Sequence, residues 1–543
     1  LEHRRSLLHL ASVVAVLLGT ALFAPPITGA VFETSDTLDQ LKAQAEQWQQ
    51  AGQWTRAADL WYQILIRNRS FQGAREGHQD CLRRAQQMAR HQDSSYRQQV
   101  LTMSLENALQ HYGEVLAKLQ ADYVDPSKVQ LPLLFKQGLD ELSLALSEEM
   151  RQAYFSELPS EAVAVFRAEL QGTWADKPVR KLSDAQNLAR DLALAAKKDL
   201  GLKPSLVVLE LACGACNALD ECTFYLTPRQ FSELNASLKG EAAGIGAELN
   251  VTADGVFVSQ VLPGSPAQQH DLLYGDRLLR IDGKSGPALA EAAVELLRGE
   301  PGTTVEIEAQ TGKKEPRVLK LKRQVVRLAS VSEPRFLDLA QGIGYLQLLA
   351  FQEGTVEELN LAIEKLQAQG MRALILDLRG NPGGLFDVAR QVVERFVSAG
   401  VIVSTQGRVA GEYNTTYHAH GMNILAVPLV VLVDGETASS AEMVAGALKD
   451  NLRGKLVGKT TFGKGSIQKI KSLTSAQTGI RMTVARFYSP RQQSYDGRGV
   501  APHLDIELRP SMSMSMEMDN QVQAALEVAR SLILGHGAEG GVR

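Results

Sequence analysis

Apolar residues recur along this chain with three different spacings, and the changes of spacing mark its parts. A mostly apolar run extends from Leu7 to Phe23, behind His3-Arg4-Arg5. From about 33 to 205 the spacing is helical. Leu38–Gln50, Thr55–Arg67 and Tyr96–Gln120 carry apolar residues three and four apart among long-chain helix formers. A further helical insertion is predicted over roughly Ser147–Leu200. Beyond 240 the apolar runs shorten and are bounded by Gly and Pro, as strands are. Glu248–Val251 reads as a strand, and Ala373–Leu376 and Pro428–Asp434 read as fully buried ones. A helix is expected over Ala441–Leu448 and another over Asn520–Leu534, ahead of a Gly-rich end expected to be disordered.

Length and charge sharpen this picture. A chain of 543 residues exceeds one hydrophobic core, and at about 150 residues per domain it implies three or four units. The net charge is −4 with no sustained basic tract, so nucleic-acid binding is not indicated. The run Leu7–Phe23, followed by Ala24-Pro25-Pro26 and Thr28-Gly29-Ala30, reads as a secretory signal cleaved after Ala30. Its length is also at the lower limit of a membrane span, so an uncleaved N-terminal anchor is the alternative. Either way the bulk is expected in the periplasm or cell envelope. In an exported chain, Cys81, Cys213, Cys216 and Cys222 are expected to include a disulfide, with free buried thiols as the other reading. Zinc is disfavoured because no nearby His completes a four-ligand set. His418 and His420 read as loop residues. No metal or cofactor is implied.

The candidate chemistry rests on Ser439 and Lys464. Thr437-Ala438-Ser439-Ser440-Ala441-Glu442 is a small-residue turn opening a helix, and Phe462-Gly463-Lys464-Gly465 sets a lysine between glycines. A serine hydroxyl needs a base to take its proton, and a lysine serves only when neutral, which burial favours. Gln468 follows four residues on and is a candidate to orient the amine. The Ser440 N–H, at the helix start, is a candidate oxyanion donor. A second donor is expected from Gly383 or Gly384 in Asp377-Leu378-Arg379-Gly380-Asn381-Pro382-Gly383-Gly384. Asp377 and Arg379 read most simply as an ion pair. Glu442, one turn after Ser439, is assigned a supporting role, and Asp450 with Arg453 a structural pairing.

These motifs resemble, in order and spacing, the C-terminal processing peptidases, also called tail-specific proteases. Gly344-Tyr345-Leu346 with Phe351, then Leu374–Gly384, Pro428–Asp434, the Ser turn and Phe462–Gln468 carry the resemblance. It implies a multidomain α+β chain: a helical N-terminal region, a PDZ-like β domain and an α/β catalytic domain related to the crotonase and Clp-protease sheets. It also implies a Ser439–Lys464 dyad that hydrolyses peptide bonds through an acyl-enzyme, oriented by Gln468. Upstream, Gly244-Ile245-Gly246-Ala247 resembles a PDZ carboxylate-binding loop, and Val261–Ala267 and Tyr274–Gly283 are PDZ-like landmarks. Such a domain adds a peptide C-terminus to a sheet edge, so the implied partners are proteins or peptides with free C-termini. Leu219-Asp220-Glu221-Cys222-Thr223 departs from the family pattern and is expected to stay away from the dyad.

The expected domains are a signal or anchor at 1–30 and a helical region at 31–205. A connecting segment follows at 206–239, then the PDZ-like domain at 240–326. The Ser–Lys protease domain is expected at 327–510 and a C-terminal helix with a flexible tail at 511–543. Gly52–Ala57 followed by Leu60-Trp61-Tyr62 resembles one tetratricopeptide-type hairpin, which leaves an adaptor or self-association surface open. The contrasting function is an inactive envelope scaffold that binds protein C-termini.

Overall fold

The helical spacing near the start of the chain becomes three successive packed helices. The computed structural model describes residues 37–252, 254–409, 411–509 and 519–539. The run Leu7–Phe23, the site after Ala30, the Ser/Met run and the final Gly-rich residues lie outside them. Helix Leu38–Gln50 opens with a capping box, Thr37 Oγ1 accepting from the Gln40 N–H at 3.2 Å and Gln40 Oε1 accepting from the Thr37 N–H at 2.7 Å. It packs on Trp54–Arg67, which packs on Ala74–Gln92. Leu41, Ala45, Leu60, Trp61, Ile64 and Cys81 form a small core of their own. The hairpin therefore has a third helix where no second repeat was legible.

The predicted helix Tyr96–Gln120 is broken. A π-helical turn spans Tyr96–Val100, and Ser104 then caps a new helix, Leu105–Asp122, by accepting from the Asn107 N–H at 3.2 Å. The Ser side chain competes for backbone donors and so resets the helix start. Helix Pro204–Asn217 is buried along its whole length from Ser205 to Cys216. It packs against Leu105–Asp122, Leu131–Ala145 and Leu182–Leu200. Segment 206–239 thus begins as the central helix of the helical layer. It then supplies strand Phe224–Leu226, which pairs antiparallel with Thr478–Tyr488. Helical region and downstream sheet share one apolar core.

No disulfide forms: Cys81, Cys213, Cys216 and Cys222 are all free and buried. Cys213 and Cys216 lie in the buried helix, Cys81 lies in the hairpin core, and Cys222 precedes a strand. Burial pushes the Cys222 thiol up to about 11 and the Cys81 thiol up to about 12, so these behave as packed apolar side chains.

The PDZ-like domain hangs on a two-stranded ribbon, Glu241–Gly244 paired with Gln324–Arg327. Its sheet runs in the order Ala247–Thr252, Gly255–Val261, Arg277–Ile281, Thr304–Gln310, Arg317–Lys322. Ala247–Thr252 is therefore an edge strand, with helix Gly286–Leu297 packed beside it.

The second large sheet has the order Arg335–Asp338, Ile343–Gln347, Ala373–Asp377, Leu429–Val433, Lys455–Gly458, Leu504–Asp505. Its first pair is antiparallel and the rest are parallel. Strand periodicity sorts the side chains onto two faces. Leu374, Leu376, Val431 and Val433 face the main core, whereas Ala373, Ile375, Val430 and Leu432 face helix Asn520–Glu539. A parallel sheet covered on both faces explains why these strands read as continuous apolar runs.

A buried ionic cluster ties the third helix of the hairpin to the helical layer. Arg90 donates to Glu141 at 3.2 Å and to Glu210 at 2.8 Å, and both carboxylates are fully buried. Removing one member leaves the others buried and underpaired. Arg90→Met is expected to lower unfolding free energy by about 3 kcal/mol; urea denaturation checks it, and an unchanged midpoint contradicts the assignment.

Candidate active site

Ser439 sits where strand Leu429–Val433 turns into helix Ser440–Asp450. Its φ of 55° and ψ of −121° place a non-glycine residue in the left-handed half of backbone space, a conformation held only by its surroundings. Those surroundings are a set of short hydrogen bonds. Asp434 Oδ1 accepts from the N–H groups of Gly380, Glu436 and Thr437 at 3.1, 3.0 and 2.9 Å. Thr437 Oγ1 donates to the Leu378 carbonyl at 2.9 Å, and the Ala438 N–H donates to the Asn381 carbonyl at 2.9 Å. The turn before Ser439 is thereby stitched to the glycine loop.

Glu442 ties the serine to the lysine. Its fully buried carboxylate accepts from the Ser439 N–H at 2.8 Å, the Thr461 hydroxyl at 2.6 Å and the Lys464 N–H at 2.7 Å, and also from the Gly463 N–H. The backbones of both candidate catalytic residues hang on one carboxylate. Burial pushes Glu442 above the usual carboxylate range, against those donors and the Arg69 charge. The Phe462 N–H adds a second tie, donating to the Thr437 carbonyl at 2.8 Å.

Ser439, Lys464 and Gln468 line one cleft of about 460 Å³. No hydrogen bond joins Ser439 Oγ to Lys464 Nζ among the described residues. Lys464 is only 6 % exposed. Burial holds its ammonium below the ordinary lysine range; the Cys222 thiol opposes the shift and the Arg481 guanidinium adds to it. Gln468 departs from its expected role. Its amide donates to Ser466 Oγ at 2.9 Å and to Thr483 Oγ1 at 3.4 Å, and it accepts from Arg481 at 3.4 Å. It holds the strand after Lys464 and has no bond to the amine.

The glycine loop approaches the serine closely. A methyl group on Gly383 would lie 2.8 Å from Ser439 Cβ, and Gly383 has φ of +103°. Its N–H, expected as an oxyanion donor, instead donates to Asn381 Oδ1 at 2.9 Å. Gly384 bridges to Phe351: the Phe351 N–H donates to the Gly383 carbonyl at 3.0 Å and the Leu385 N–H to the Phe351 carbonyl at 2.8 Å. The Gly384 N–H takes no part in that bridge. Ser440 Oγ holds the Gly384 carbonyl at 2.9 Å. The Ser440 N–H, first of its helix, has no intrahelical acceptor.

Asp377 and Arg379 form the expected ion pair at 2.6 Å, and Tyr345 donates to Asp377 at 2.8 Å. The sequence did not reveal that Arg379 also donates to Asp519 and Gln521, both at 2.9 Å. The segment expected as a helix and flexible tail thus pins the glycine loop from below. Asp450 and Arg453 do not pair. Arg453 donates to the carbonyls of Phe396 at 3.0 Å and Val427 at 2.8 Å, while Asp450 lies 3.7 Å from Arg491. Glu221 and Cys222, expected away from the dyad, line a small cavity behind Lys464. Arg481, also missed, is brought into the cleft by the pairing of Phe224–Leu226 with Thr478–Tyr488.

The peptide-binding candidates sit at the free edge of the PDZ-like sheet. Gly244 ends the ribbon, Ile245 is buried, and the Gly246 carbonyl accepts from the Leu262 N–H at 2.8 Å. Ala247 begins the edge strand. A methyl group on Gly244 would lie 3.3 Å from the Leu297 carbonyl at the end of the flanking helix.

A Ser turn on a covered parallel sheet, a buried lysine and an attached PDZ-like domain define a serine peptidase. Comparison with known proteins agrees. The model of peptidase family S41 matches residues 342–506, and that of the PDZ domain matches 243–319. The carboxyl-terminal-processing protease of Picosynechococcus sp. is 35% identical over 316 residues, covering 57% of this chain and 75% of that protein. The corresponding protease of Bartonella bacilliformis is 34% identical over 301 residues, covering 54% and 68%. That of Synechocystis sp. is 35% identical over 321 residues, covering 57% and 74%. The chain belongs to the C-terminal processing peptidase family and is a serine-type peptidase; the scaffold alternative is set aside.

The glycine loop supplies a test. Gly384 has φ of +145°, and a side chain there would run into the Phe351 carbonyl. Gly384→Ala is expected to lower kcat about a hundredfold with little change in KM. Steady-state cleavage of a peptide reporter checks it; wild-type kcat would show that the loop has no part in the site.

Proposed function

We propose that this protein is an exported endopeptidase that takes substrates by their C-terminal tails and cuts them with a Ser439–Lys464 dyad. The observation that carries the reading is the single Glu442 carboxylate bonded to the backbones of both residues, beside a cleft that both line. Neutral Lys464 Nζ takes the Ser439 proton as Oγ attacks the scissile carbonyl carbon. The oxyanion is held by the N–H groups of Ser440 and Gly384, aided by the positive end of helix Ser440–Asp450. Lys464 then passes its proton to the leaving amine, and an acyl-enzyme remains. Water, deprotonated by Lys464, attacks the acyl carbonyl carbon; the ester bond to Ser439 Oγ breaks, Lys464 returns the proton to Oγ, and the new carboxylate leaves.

The cleft favours apolar residues next to the scissile bond, since Leu234, Leu385, Phe386, Ile470 and Phe487 form its walls. Recognition of the tail falls to the PDZ-like domain. An extended peptide adds to the open edge of Ala247–Thr252, and the backbone at Gly244–Ala247 receives its terminal carboxylate. Export rests on the basic residues and apolar run at the start of the sequence.

The test is cleavage of a loosely folded reporter with an apolar C-terminal tail. Ser439→Ala and Lys464→Ala are each expected to lose at least about a thousandfold in kcat. Equal cutting by both variants and the wild type would sink the dyad. For the wild type, kcat should rise with pH and level off, because the required neutral amine accumulates above the depressed Lys464 pKa. A flat profile would exclude Lys464 as the base.

A further inference from the structure

The end of the second hairpin helix and the turn after it touch both loops of the site. Tyr62 and Ile66 lie four apart on one face of helix Trp54–Arg67, and Arg69 follows in the turn beyond its last residue. Ile66 packs on Gly435, in the turn before the nucleophile, where a methyl group would lie 2.7 Å from its Cγ2. The Tyr62 ring meets Phe462 with centroids 5.6 Å apart. The Arg69 guanidinium stacks over the Phe462 ring, 4.6 Å from its centroid. It also fills the space beside Gly463, where a methyl group would run into Nη1. Tyr62, Arg69, Phe462, Gly463 and Lys464 line one small cavity of about 60 Å³.

Arg69 is placed with care for a residue in a turn. Asn68 Oδ1 accepts from the Ser70 N–H at 3.1 Å and the Ser70 hydroxyl at 2.9 Å, which fixes the backbone on either side. Both terminal guanidinium nitrogens are buried without a hydrogen-bond partner. Such nitrogens are costly to bury, so packing alone does not explain an arginine here. The titratable groups facing it are Glu442, Tyr62 and Asp496, with the Arg75 guanidinium as a like charge. Glu442 in turn faces Arg69 and Tyr495.

We propose that Arg69 is a positioning residue for the catalytic lysine. Its guanidinium, wedged against Phe462 and Gly463, fixes the backbone from which Lys464 projects. It also faces the carboxylate that holds both catalytic backbones. The inference rests on the Ser439–Lys464 reading above. Residue 69 lies outside both stretches matched by the family models. The peptidase domain therefore completes its base only when the hairpin is docked.

The test uses the full chain and the tail reporter, with Ser439→Ala, Arg69→Gln and Arg69→Lys. Arg69→Gln is expected to lower kcat by about ten- to a hundredfold, as small misplacements of catalytic groups do. KM should stay near wild type. The rising limb of kcat should move to higher pH, because one positive charge fewer faces Glu442 and the lysine loop. Arg69→Lys should recover part of both. A Gln variant with wild-type kcat and an unmoved limb overturns the proposal while an inactive Ser439→Ala leaves the dyad standing. Activity persisting in Ser439→Ala overturns the dyad itself. Should Arg69→Gln lose thermal stability, Phe462→Leu decides. It releases the stacked ring without touching the hairpin core. A fall in kcat at unchanged melting temperature supports the proposal, and unchanged kcat overturns it.

Discussion

A single buried carboxylate organises this enzyme. Glu442 has no solvent exposure and accepts donors from Ser439, Thr461, Gly463 and Lys464. An ion in that position costs several kcal/mol unless its oxygens are filled, as they are here. Because two of the donors are the backbone N–H groups of Ser439 and Lys464, these residues cannot drift apart without leaving a buried carboxylate underpaired. The unfavourable backbone angles of Ser439 depend on the same bond. The start of helix Ser440–Asp450 depends on it too.

The rest of the molecule supports that carboxylate from three directions. From below, helix Asn520–Glu539 covers one face of the parallel sheet, and Asp519 and Gln521 reach up to Arg379. From the side, strand Phe224–Leu226 brings Arg481 and Cys222 next to the lysine. From behind, the hairpin lays Ile66 and Arg69 on the two loops. The PDZ-like domain is joined to this frame by its two-stranded ribbon and by an ion pair between Arg229 and Glu295 at 3.3 Å.

Much of this was legible in the residues. Leu38–Gln50 forms as its periodicity predicts. The runs around Ala373 and Pro428 are buried strands because both faces of their sheet are covered. Ser439 and Lys464 stood out by their small-residue surroundings, and the structure brings both to one cleft. Other features were illegible for definite reasons. The cysteines looked like a disulfide set, yet helix geometry and separate cores keep them apart. Only the folded register shows that Ser466, Thr483 and Arg481 take the Gln468 amide. The Gly383 N–H was lost to Asn381, a side chain two residues away whose direction no motif specifies.

Local sequence determined what depends on neighbours along the chain: helix and strand periods, the capping at Thr37 and Ser104, the glycine turns, and the residue types able to perform acyl transfer. Tertiary structure alone decided which distant side chains gather around Ser439 and Lys464. Arg69, Cys222, Arg481 and Asp519 come from separate segments of the chain, and charges act through space, where sequence separation has no meaning. Burial sets the acid–base character of Lys464, and burial belongs to the packed molecule.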